Sequence, residues 1–306
     1  MAEHSGWRTG TASAPVHHGE VLQGVFTHRG RPTRALVTLP CALHTTRATF
    51  TPAPGGRLTV SPSWKSKALR AARLAADACA RPGDPPAGGR LELTGEVPPG
   101  RGFGSSTSDV LAAVGAVQAA LGVTLTPGTV ARMAVRAETA SDSLMFRESS
   151  VLFAHREGEV VEDFGHPLPA VRVLGFGSRP GGRGIDTLAL PPARYDSAER
   201  AAFARLRTLL REAVHTKDAA LLGAVATAST DLNQRHLPIP CLDALHAVAR
   251  ETGALGIQSA HSGDIAGLLY DRDAPDTDTR TDLARTLLHR IGLHEHWLFT
   301  TDTLAP

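Results

Sequence analysis

From Pro98 to Ser108 the chain reads Pro-Pro-Gly-Arg-Gly-Phe-Gly-Ser-Ser-Thr-Ser, with glycines alternating at 100, 102 and 104. Glycines take positive φ and let a backbone approach a ligand closely. After Ser108, apolar residues fall at Val110, Leu111, Val114, Val117 and Leu121, which is one face of a helix. The loop therefore empties into a helix N-terminus, where free N–H groups and the positive end of the macrodipole favour an anion. The hydroxyls of Ser105, Ser106, Thr107 and Ser108 suit helix capping, phosphate oxygens or a metal ion. An ordinary glycine-rich turn with a serine cap fits the same residues. The Walker pattern Gly-Lys-Ser/Thr is absent, and so is the third glycine of the dinucleotide fingerprint at its required spacing. A second chemical group stands at Glu138 and Asp142, four residues apart among hydroxyls. Continued as a helix they share one face and suit magnesium and proton handling; a helix end followed by an Asp-Ser turn fits them too.

Pro-Pro-Gly-Arg-Gly-Phe-Gly-Ser-Ser-Thr resembles the central motif of the GHMP small-molecule kinases, in which that motif wraps the phosphates of ATP. The resemblance extends over nearly the whole chain, with three motifs in the family order. It implies an α+β fold of two domains: a mixed β/α nucleotide-binding domain over 1–165 and a ferredoxin-like α/β domain over 166–306. It implies ATP contacts from Pro99, Gly100, Arg101, Gly102, Phe103, Gly104, Ser105, Ser106, Thr107 and Ser108, and from Trp64 and Lys65 near the adenine and ribose. Ser106 and Glu138 would hold Mg²⁺, and Asp142, in a turn Ala-Ser-Asp-Ser, would take the proton of the acceptor hydroxyl. The family's usual acid lies roughly ten residues before that Asp, where this chain has Ala131 and Arg132, so Glu138 is the nearest acid.

Near the N-terminus, Gly19-Glu-Val-Leu-Gln-Gly24 is similar to the opening motif of the L-threonine kinase subgroup, which makes Glu20 and Gln23 pocket residues able to grip an ammonium group. Thr187 and the loop Ala260-His-Ser-Gly263, with His261 and Ser262, follow the same subgroup and would close the substrate site. The activity so implied is phosphorylation of a small hydroxy amino acid, with L-threonine as acceptor. Homoserine, serine, another hydroxylated amine, or a non-catalytic nucleotide sensor on the same fold stay open.

These residues need elements to hold them. Alternation predicts a strand at Leu91–Val97 feeding the glycine loop, and the loop feeds a helix that ends before Pro127. Strands are predicted at Ala35–Leu39, Arg57–Val60, Val151–Ala154, Glu159–Glu162, Val171–Phe176, Leu268–Tyr270 and Trp297–Phe299. Helices are predicted from about 68 to 80 and 129 to 138, then on three apolar stripes through Phe203, Leu222 and Leu245. Residues 1–12 read as a loose leader.

The 306 residues are 42% hydrophobic, enough for two modest cores. A net charge of +2 gives no basis for a nucleic-acid partner. Cys41, Cys79 and Cys241 lie far apart in no metal spacing, which points to a reducing compartment. No apolar run approaches a membrane span, so a cytoplasmic protein is expected, monomeric or homodimeric. A serine hydrolase is excluded by the lack of a Gly-x-Ser-x-Gly elbow near Ser262.

Overall fold

The structure, a computed structural model, describes residues 7–82, 87–95, 97–98, 100–179, 193–260 and 263–302. Its spine is a long antiparallel hairpin, β1 (Gly10–His28) and β2 (Arg31–Pro54). Arg29 and Gly30 both have positive φ, 49° and 75°, and so make the tight two-residue turn that right-twisted strands require. β3 (Leu58–Ser61) and β4 (Ala87–Thr94) extend the sheet beyond β2, with α1 (Ser66–Cys79) between them in sequence. α2 (Ser105–Leu121) and α3 (Pro127–Glu138) follow. β5 (Val151–Ala154) and β6 (Glu159–Asp163) form a side hairpin on β2.

The second half contains β7 (Val171–Gly177), α4 (Ser197–Thr216), α5 (Ala219–Asn233), α6 (Leu242–Thr252), β8 (Gly256–Ser259), β9 (Ile265–Asp271), α7 (Thr277–Arg290) and β10 (His296–Thr300). The sheet has the order β10-β7-β9-β8-β1-β2-β4-β3, and every pairing is antiparallel except β3 with β4. Among the described residues, β8 meets β1 through a single residue pair, Glu20 with Ser259. The organisation is the α+β class that the sequence implies.

α2 is apolar on nearly every side, with Val110, Val114, Val117 and a ladder of alanines buried, because it is enclosed by β1, β2 and α1. Its small side chains allow close approach: a Cβ on Gly10 would lie 2.2 Å from the Ala116 carbonyl oxygen. That contact corrects the reading of a loose leader for residues 7–12, since β1 already begins at Gly10 and Trp7 packs on the same core; residues 1–6 lie outside the described residues. Phe26, Phe203, Leu210 and Leu269 belong to a second core between hairpin and helices, and Leu245, Ile257, Leu268 and Leu288 to a third under α6 and α7. α7 and β8 were not marked by the sequence. α7 is rich in Thr, Asp and Arg, and only Thr277, Thr281, Ala284, Leu287 and Leu288 are buried, which blurs its apolar stripe. Among the described residues, no helix is long and apolar enough to cross a membrane.

Candidate active site

Gly104 is the N-cap of α2, in the left-handed conformation at φ 65°, and no side chain caps the helix. Gly100 and Gly102 also have positive φ, 73° and 103°. The loop thus uses its glycines to turn the chain into α2, and among the described residues no side chain caps its first turn. The helix end and its hydroxyls face two carboxylates. Ser106 Oγ donates to Glu138 Oε2 at 2.5 Å, and Thr107 Oγ1 lies 2.9 Å from Glu138 Oε1 and 3.1 Å from Asp142 Oδ2.

Glu138 and Asp142 are brought together by a different route from a shared helix face. α3 starts at Pro127 behind an N-cap Thr126 and stops at Glu138, where Thr139 turns out of the helix at φ 77°. The chain then loops back. Ser141 N–H donates to the His155 carbonyl at 2.9 Å, and the Ser143 N–H and hydroxyl reach Thr38 Oγ1 at 3.2 and 3.0 Å. Asp142 is fixed between these anchors. Burial pushes the Glu138 carboxyl up to about 7, helped by the nearby Asp142 charge and opposed by the Ser106 and Thr107 hydroxyls.

His17 completes the cluster. Its Nε2 lies 2.9 Å from Asp142 Oδ2, its Nδ1 accepts the Gly19 N–H at 2.9 Å, and Glu20 Oε1 is 4.0 Å from Nδ1. Burial pulls the ring down, but Asp142 and then Glu20 outweigh it and push it up to about 9. Ligand atoms of His17, Glu20 and Asp142 all lie within 4.8 Å of one another. β1 breaks register around this point, between His17 and Glu20 and between Glu20 and Leu22, and Gly19 takes φ 68°. Such bulges re-aim side chains out of the regular alternation.

Glu20 and Gln23 line a recess with Ser229, Thr230 and Asn233 of α5, Leu237, Ser259 at the end of β8 and the following Ala260. α5 is tied to β1 there: Gln23 N–H donates to Ser229 Oγ at 3.0 Å and Asn233 Nδ2 to the Gln23 carbonyl at 2.9 Å. A larger cavity of 280 Å³, lined by Ala42, Leu43, Arg172, Leu298, Phe299 and Thr300, contains none of the carboxylates of this cluster.

Several expected nucleotide contacts are placed differently from one another. Trp64 is 66% exposed, with the Lys65 ammonium 4.4 Å above its ring, and Lys65 also pairs with Asp109 of α2. The Arg101 guanidinium is held by the second half of the chain: Nε donates to Asp264 Oδ1 at 2.7 Å and Nη2 to Glu295 Oε2 at 2.8 Å. Phe103 is buried against His18, His44 and Trp297, so only its backbone can serve a ligand. Ser108 Oγ is likewise committed, to the Ala14 carbonyl at 2.8 Å. Pro99, Thr187, His261 and Ser262 lie outside the described residues. Sequence reasoning gave His17 only as a weaker pocket candidate, and it did not foresee its contact with Asp142, Thr107's double contact or the polar side of α5. The last had a signal, since Ser229, Thr230 and Asn233 interrupt a helix otherwise read as a core stripe.

Comparison with known proteins gives a consistent result. The family model described as "GHMP kinases N terminal domain" matches residues 66–145. The L-threonine kinase of Salmonella typhimurium is 31% identical over 210 residues, covering 68% of this chain and 67% of that protein. The homoserine kinase of Moorella thermoacetica is 30% identical over 222 residues, covering 68% of this chain and 70% of that protein. Among solved structures, the homoserine kinase from Cytophaga hutchinsonii superposes with a TM-score of 0.65 at 16% identity, covering 98% of this chain and 96% of that one. The mevalonate kinase from methicillin-resistant Staphylococcus aureus gives 0.59 at 16% identity, covering 95% and 98%.

Proposed function

The chain belongs to the GHMP kinase family, and from that premise we propose that it transfers the terminal phosphoryl group of ATP to the side-chain hydroxyl of a small hydroxy amino acid, with L-threonine as acceptor and O-phospho-L-threonine as product. The observation that carries this reading is the meeting of Ser106, Thr107, Glu138 and Asp142 within hydrogen-bonding distance at an uncapped helix N-terminus. The names of the L-threonine kinase relatives supply the acceptor.

In this reading the loop from Gly100 to Gly104 and the first turn of α2 take the phosphate oxygens on backbone N–H groups. Trp64 offers an exposed face on which a base can stack. Ser106 and Glu138 fit a Mg²⁺ ion, a hard cation that prefers oxygen donors, and a carboxyl pushed up by burial is one whose charge a cation would favour. Bound there, the ion supplies neutralisation of phosphate charge. Glu20 and Gln23 receive the acceptor's ammonium group. Asp142 takes the hydroxyl proton as the oxygen bonds to phosphorus and the bond to the ADP oxygen breaks. Phosphoryl transfer asks mainly for alignment and charge balance, and alignment alone can supply on the order of 7–11 kcal/mol. Residues 1–165 would carry the nucleotide side and residues 166–306 would close the acceptor side.

The test is ADP release from ATP and Mg²⁺ with L-threonine, L-homoserine, L-serine and simple amino alcohols, with the phosphorylated product identified by ³¹P NMR. Preferred turnover of L-threonine supports the acceptor assignment. Preference for homoserine moves it to the acceptor named for the Moorella relative. ATP binding with no turnover on any acceptor would replace the kinase by a nucleotide sensor.

A further inference from the structure

We infer that His17 is the positioning residue of Asp142: its Nε2–H holds the carboxylate in the orientation from which it receives the acceptor's proton. The inference rests on Asp142 as the proton acceptor, proposed above. It begins from the hydrogen bonds. The Gly19 N–H points into Nδ1, so in the neutral ring the proton sits on Nε2, which faces Asp142 Oδ2 at 2.9 Å. In the charged ring Nε2 is protonated as well, so the donor to Asp142 exists in both states.

The backbone is shaped around this ring. Two register breaks and a left-handed Gly19 occupy the few residues after His17. A Cβ on Gly104 would lie 2.1 Å from His17 Cδ2 and 2.3 Å from Nε2, so the imidazole fills the space that the N-cap glycine leaves open. His17 N–H also donates to the Phe103 carbonyl at 3.2 Å, fixing the ring's backbone to the glycine loop. The neighbouring His18 shows the alternative use of the same side chain. It points to the other side, is held neutral by burial, down to about 4, and pairs with Gln258 at 2.8 Å in the core. His17 is the one that reaches the carboxylate, and with Thr107 Oγ1 it gives Asp142 Oδ2 two neighbours that fix its direction.

Three substitutions and a double mutant decide the matter, using the full chain, MgATP and L-threonine, with melting curves to establish that each variant is folded. His17→Leu removes the donor and should lower kcat about 10- to 100-fold while KM for ATP moves less than about threefold. His17→Gln, whose amide reaches the Nε2 position, should recover most of that loss. His17→Asn, whose amide reaches only the Nδ1 position, should fall with Leu. In an Asp142→Asn background His17→Leu should have no further effect on kcat. Equal activity of Gln, Asn and Leu variants, a kcat within about threefold of wild type for Leu, or the same fold-loss in the Asp142→Asn background would each overturn the inference. If His17→Leu does not fold, the Gln and Asn pair decides alone. Failure of the wild type to phosphorylate any acceptor sinks the kinase reading and this inference together, whereas an active wild type with an indifferent His17 sinks this inference only.

Discussion

Asp142 and Glu138 sit four residues apart in different surroundings, and the proposed reaction gives them different tasks. Asp142 keeps some contact with solvent, 13% for its side chain, and a histidine partner; Glu138 is buried beneath two hydroxyls. Replacing Asp142 by Ala should lower kcat by on the order of 100-fold or more while ATP affinity, read by calorimetry, changes little. Glu138 predicts a pH effect. Its carboxyl is raised in the folded chain, so the fold favours the protonated form; that stability is complete below about 4.5 and is lost as pH rises through about 7. At about 1.4 kcal/mol per unit the loss is on the order of 3 kcal/mol. Urea unfolding without Mg²⁺ should show this slope in wild type, and Glu138→Gln should remove it. These two acids were legible in the sequence as a local pair beside the hydroxyls. The pairing of His17 with Asp142 was not, because nothing in the β1 stretch announces a partner that follows α3.

At the scale of elements, the glycine loop and α2 depend on one backbone conformation. Gly104→Ala would place a Cβ against the His17 ring in left-handed backbone, and should cost at least about 2 kcal/mol by thermal or urea unfolding and disable turnover. The strand–loop–helix context of this motif could be read directly, since α2 carries its own periodicity and the glycines mark its start. The destination of Arg101 could not be read, because its partners belong to the second half of the chain. Asp264 is fully buried and Glu295 is 59% exposed, so the two ion pairs of Arg101 differ in worth. Asp264→Ala leaves the guanidinium short of its interior partner and should destabilise by about 3 kcal/mol. Glu295→Gln should cost at most about 1 kcal/mol, and the contrast is measurable by denaturant titration.

For the whole molecule, nucleotide should act as a clamp on stability. At a MgATP concentration about 100 times its Kd, unfolding should become harder by about 2.7 kcal/mol, seen as a rise of several degrees in Tm, while free ATP with chelator should give less. Most strands and helices were legible because each carries its own period. Sheet order was not, since β10-β7-β9-β8 is stitched by pairings between distant residues, and α7 lacks a clear stripe. The recess shared by β1 and α5 was hidden for the same reason: its walls come from opposite ends of the sequence.

The single rung between Glu20 and Ser259 has a mechanical consequence. Where a sheet is continuous through many rungs it resists bending; where it narrows to one, rotation of one plate against the other concentrates there. A bend of this sheet would therefore concentrate at Glu20, a carboxylate that lines the recess between β1 and α5, and a ligand held by Glu20 would brace the joint as well.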